Sequence, residues 1–106
     1  MSYRFMRVIV FFDLPVETAT QRREYNHFRK FLIRSGFVMM QESVYTKLAP
    51  NSNVAESIQE NVRKHKPPEG LVQMLTVTEK QFNRMEILVG QRQTEVVEDD
   101  RRLVVL

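Results

Sequence analysis

Asp13 is the residue of this chain best placed to do chemistry. It follows the apolar run Met6-Arg7-Val8-Ile9-Val10-Phe11-Phe12 and precedes Leu14-Pro15. Proline cannot continue a central ladder, so Asp13 stands at a strand end. A carboxylate there can hold a hard cation such as Mg²⁺ or orient a water. The same residue type also suits a cap on the turn before a helix. One carboxylate is thin for a metal site. A two-fold dimer changes this by bringing two copies of Asp13 together, with water or phosphate filling the remaining positions.

Arg22, Arg23, Arg29, Lys30 and Arg34 form a second group. At helical spacing they fall with Asn26 on one side, opposite Tyr25, Phe28, Phe31 and Leu32. Ile33 falls on the basic side, which the pattern does not explain. No acidic residue interrupts the stripe. Arginine offers phosphate a bidentate fork and lysine a point charge; a solvated helix face is the alternative.

Other candidates carry less. Glu98-Asp99-Asp100-Arg101-Arg102 reads as a solvated charge run used for docking rather than as a metal cluster. His27 and His65 are isolated, with no ligand spacing around them. Gly36, Gly70 and Gly90 form neither a dinucleotide loop nor a P-loop. Leu71–Thr78 lacks the aromatics of an RNA-recognition sheet. With no Cys, disulfides, thiolate zinc and cysteine nucleophiles are excluded.

The elements that position these residues follow from pattern. Met6–Phe12 is short, β-branched and aromatic, as a central strand buried on both faces is. Glu17–Ser35 reads as a helix, with Thr18 and Gln21 at capping-box spacing and Gly36 as its stop. Phe37–Leu48 reads as two strands breaking near Gln41–Ser43. Asn53 and Glu56 repeat the capping-box spacing before a second helix running to Lys64, with Val54, Ile58 and Val62 inward. His65–Gly70 is a loop and Leu71–Thr78 a strand. Thr78 and Gln81 cap a short helical turn, and Glu86-Ile87-Leu88-Val89 reads as a strand closed by Gly90. Gln91–Arg102 is polar and reads as mobile, and Leu103–Leu106 as a last strand in need of a partner edge. The order β-α-β-β-α-β with a C-terminal strand extension is the α+β, ferredoxin-like pattern, with two helices on one face of an antiparallel sheet. Its other face would lie bare, so a homodimer is expected. Residues 1–90 form the domain, and 91–106 an extension that docks a partner.

Length and charge fit this picture. The 106 residues make one domain, 42% hydrophobic and 27% charged, which argues against disorder. The net charge is +3 and the pI near 9.5. The surplus sits in the first third, where Met1–Gly36 holds seven basic and three acidic residues. Such a surface favours phosphate backbones or acidic partners. The apolar runs are too short to cross a bilayer and the N-terminus lacks a long apolar region, so no membrane association and a cytoplasmic location are expected.

Phe12-Asp13-Leu14-Pro15, Arg22-Arg23, Gly36-Phe37 and Gln41-Glu42-Ser43-Val44-Tyr45 together resemble CRISPR-associated protein two, the small protein of spacer acquisition. The resemblance covers about Met6 to Val89. It implies a ferredoxin-like homodimer, with Asp13 of each subunit on Mg²⁺ in the dimer cleft and metal-dependent endonuclease activity on RNA or duplex DNA. It also implies a bridging role between dimers of the integrase, CRISPR-associated protein one. Many members carry Tyr where this chain has Phe12, which removes a phenol near the site.

Three functions follow. The first is a Mg²⁺-dependent phosphodiesterase in which both copies of Asp13 hold the metal, Arg22, Arg23 and Arg29 neutralise backbone charge, and the ion lowers the pKa of an attacking water. The second is a non-catalytic scaffold that holds duplex DNA along its basic helices and docks integrase through Gln91–Leu106. The scaffold is favoured as the physiological role, with cleavage secondary. The third, outside the family, is a ferredoxin-like regulatory dimer that binds a small ligand and has no nucleic-acid affinity.

Overall fold

β1 (Met6–Asp13) organises the protein, because its alternating residues feed two separate cores. The computed structural model describes residues 4–91. After β1 come α1 (Ala19–Arg34), β2 (Val38–Gln41), β3 (Val44–Ala49), α2 (Ser52–Lys64), β4 (Leu71–Thr78) and α3 (Glu79–Phe82). The sheet order is β2-β3-β1-β4, with every neighbouring pair antiparallel. Val10 opposes Tyr45 on one side and Met74 on the other, which fixes β1 as central. This is the expected ferredoxin-like arrangement.

Val8, Val10 and Phe12 point to the helix layer and join Phe28, Leu32, Tyr45, Ala55 and Val62 in the main core. Phe12 anchors it. Its ring meets Phe28 edge-on at 5.4 Å between centroids and lies 5.7 Å from Tyr45. Each such pair adds roughly 0.5–1.5 kcal/mol beyond area burial. Phe28, Phe31 and Leu32 are buried as the periodicity of α1 predicts, while Ile33 is exposed.

The caps follow local chemistry. The Thr18 side chain accepts from the Gln21 N–H at 3.0 Å, and the Gln21 side chain accepts from the Thr18 N–H at 3.0 Å. One such cap contributes about 1 kcal/mol. Thr78 and Gln81 repeat the arrangement on α3. Gly36, at φ +96°, lets the chain leave α1 for β2.

Four expectations are corrected. α2 is capped by Asn51, whose side chain accepts from the Val54 N–H at 2.9 Å, not by Asn53. Its buried row is Ala55, Ile58 and Val62, with Val54 exposed, because alternating steps of three and four follow the 3.6-residue turn better than repeated fours. The sheet face away from α1 and α2 is not wholly bare. α3 lays Phe82 against Ile9 and Val44 as a second, smaller core. Glu86–Val89 is not a strand: no ladder among the described residues receives it, and Leu88 and Val89 stay largely exposed.

Leu48, Leu71, Leu75 and Val38 remain exposed. By strand register they share the face away from α1 and α2, beyond the reach of Phe82. No described helix is long and apolar enough to cross a membrane. The expected strand Leu103–Leu106, the charge run Glu98–Arg102 and the docking role of the extension beyond Gln91 lie outside the described residues.

Candidate functional site

Asp13 is held by the strand end rather than by contacts of its own carboxylate. Its Cα partner across the ladder is Leu71. The preceding residue, Phe12, is fixed by its buried ring and by its N–H, which donates to the Ser43 carbonyl at 3.0 Å. Leu14, just after it, is buried. Gly70 closes the corner. At φ +97°, a methyl group there would lie 2.6 Å from Leu14 Cδ2 and 3.1 Å from the Asp13 carbonyl oxygen. A side chain at position 70 would displace the backbone that carries Asp13.

The carboxylate itself is exposed. Among the described residues it has no hydrogen bond or ion pair. It opens on a cavity of about 160 Å³, with Ser43 and Gln73 as polar neighbours and Phe11, Val44 and Leu71 as apolar walls. Carboxylate, hydroxyl and amide oxygens are the hard donors that Mg²⁺ prefers. The described residues contain no group of three or more His, Cys, Asp or Glu able to cage a metal. The donor set therefore fits only an ion that would keep most of its water or share a phosphate, with Asp13 the side chain able to ligate it. Phe12 turns its ring into the helix-side core.

Of the basic stripe, Arg23, Lys30 and Arg34 are exposed on α1, and Arg29 is half-buried. None of these four makes an ion pair among the described residues. Arg22 is partly committed: its Nη1 donates to the Val16 and Glu17 carbonyls at 3.1 and 2.9 Å, tying the loop to the first turn of α1. Arg63 on α2 shows the opposite behaviour. Hydrogen bonds to Glu60 and then Glu56 hold its guanidinium above the ordinary range. None of Arg22, Arg23, Arg29, Lys30 or Arg34 lines the Asp13 cavity. The stripe belongs to the helix layer and Asp13 to the strand row facing away from it, so one protomer does not bring the two together.

Two features were not singled out by sequence. Arg4, Lys80 and Arg84 surround an open cleft of about 480 Å³ at the far end of β1. Beside it, Arg7 grips Glu79 in a fork, with Nε–Oε1 at 2.8 Å and Nη2–Oε2 at 2.5 Å, and lies 4.5 Å above the Phe82 ring. The second feature is Ser43, whose φ is +66°. The Gln-Glu-Ser turn marks the hairpin in sequence, but nothing there marks the left-handed residue.

Comparison with known proteins agrees with this architecture. A crystal structure titled as that of cas2 superposes with a TM-score of 0.57 at 20% identity, covering 91% of this chain and 99% of that one, a likeness of fold. A protein from Treponema denticola called CRISPR-associated endoribonuclease Cas2 is 58% identical over 101 residues, 95% of this chain and all of its own length. A protein of the same name from Streptococcus mutans serotype c is 46% identical, over 95% of this chain and 93% of its own. Residues 6–85, from the first residue of β1 to just past α3, match the family described as CRISPR associated protein Cas2. With Asp13 closing β1 and the sheet order in place, the chain belongs to the Cas2 family.

Proposed function

We propose that this protein serves CRISPR adaptation as a cytoplasmic homodimer that binds duplex DNA, docks CRISPR-associated protein one, and carries a Mg²⁺-dependent endonuclease site built on Asp13. The observation that carries the reading is the free carboxylate of Asp13, pinned by Phe12 and Gly70 beside an uncovered apolar row. Pairing two copies over Leu71 and Leu75 removes that row from water. Because Leu71 opposes Asp13 across the ladder, the same pairing draws two carboxylates together. The two carboxylates would hold a divalent cation, and the chemistry it would supply is charge neutralisation at a bound phosphodiester. Asp13 would orient that ion and Phe11 and Leu71 would exclude water from one side, while the exposed arginines of α1, on the helix layer, offer the polyanion a separate contact. The name endoribonuclease borne by the relatives supports RNA as one substrate.

A scaffold role without chemistry is the second reading. It is favoured by the cavity lining, which contains neither His nor Lys to act as general base. The two readings part on Asp13→Ala. Cleavage of RNA in Mg²⁺ is expected to fall more than about a hundredfold, as loss of a metal ligand dictates, with the thermal midpoint unchanged. Spacer acquisition that survives the substitution assigns the physiological role to the scaffold. Undiminished cleavage would remove Asp13 from the chemistry.

A further inference from the structure

We propose that Ser43 is a substrate-contacting residue of the Asp13 site, its hydroxyl donating a hydrogen bond to a non-bridging oxygen of the bound phosphodiester. This rests on Asp13 being the phosphate-handling end of the protein. Three observations converge on it. Ser43 has a left-handed backbone, φ +66°, and among the described residues it alone does so without being glycine. Glycine would occupy that hairpin position without strain, so the hydroxymethyl group is what serine adds there. The Ser43 carbonyl accepts from the Phe12 N–H at 3.0 Å, so the strained residue is bound to the backbone one residue before Asp13. Ser43 also lines the Asp13 cavity and makes no side-chain hydrogen bond among the described residues, which leaves its donor available. Strain held beside an open carboxylate is the pattern of a side chain aimed at a ligand.

The test uses the full chain and a single-stranded RNA in Mg²⁺, with cleavage, binding and thermal unfolding measured together. Ser43→Gly is expected to unfold no lower than the parent, since strain is relieved, yet to lose about tenfold in kcat/KM, the worth of one hydrogen bond to a charged oxygen. Ser43→Asn and Ser43→Asp both tolerate the left-handed backbone and are nearly the same shape. Asn, which can donate, is expected to keep cleavage and binding near the parent, and Asp, which can only accept, to lose both. A purely structural role moves these two variants alike, and that outcome overturns the proposal, as does Ser43→Gly cleaving and binding within about twofold of the parent. Asp13→Ala run beside them separates the two ideas. If it still cleaves, the catalytic reading of Asp13 fails, and RNA binding by the Asn and Asp variants alone decides the Ser43 contact.

Discussion

At one end of β1, Arg7 is locked. Glu79 takes its fork, Phe82 lies under its guanidinium, and only about a fifth of its side chain meets solvent. Six residues along the strand, Asp13 has an open cavity and no side-chain partner among the described residues. Both residues lie on the same face of the same strand. Arg7 is compensated within the chain because it closes α3 over the second core. Asp13 is left uncompensated although Gly70, Leu14 and Phe12 hold its backbone tightly. A carboxylate that is firmly placed, open to solvent and free of partners within the described residues is what the proposed metal site would use, whereas the Arg7 charge is consumed by folding.

The sharpest way to break this contrast is Gly70→Ala. The added methyl must displace Leu14 or the Asp13 backbone at an unfavourable φ, at a cost of about 3 kcal/mol. Thermal unfolding is expected to drop and RNA cleavage to fall with it; a variant with normal stability and normal cleavage would mean the corner is not rigid. Arg7→Ala comes next. It strands the half-buried Glu79 and costs about 2 kcal/mol, a fall of about 10 °C in midpoint, while the cleavage rate of the folded fraction should stay at the parent level. Loss of cleavage at full stability would show that the two ends act as one. The smallest effect is expected from reversing charge at Arg23, Lys30 and Arg34 together. Duplex affinity at low salt should fall about tenfold and its salt dependence flatten by up to about three counterions. Unchanged binding would place nucleic-acid contact elsewhere, with the cleft of Arg4, Lys80 and Arg84 as the next surface to alter.

Much of the fold was legible because its signals are local. The apolar run of β1, the Thr18 and Thr78 capping boxes and the stripe of Phe28, Phe31 and Leu32 each declare themselves within a few residues. Asp13 was legible for the same reason, through the proline two residues on. The misreadings concern partners distant in sequence. Glu86–Val89 has a strand's composition, but a strand also needs a free edge at the right place, and composition does not encode that. The coverage of Ile9 and Val44 by Phe82 depends on how α3 folds back after β4. Ser43 stands out through a backbone angle of the β2–β3 turn, and Gly70 through a 2.6 Å approach to Leu14 that exists only once β4 is paired with β1.

The placement of β1 also bears on how the chain is made. Met6 pairs with Ala49 on one side and Thr78 on the other, so the strand synthesised first has its ladder completed last. Until β4 leaves the ribosome, Val8, Val10 and Phe12 can be shielded by α1 and β3, but one row of backbone donors and acceptors stays open. Nascent chains stalled just before Leu71 would expose a sticky seam, and a chaperone that lingers on this protein should release it when that last stretch emerges.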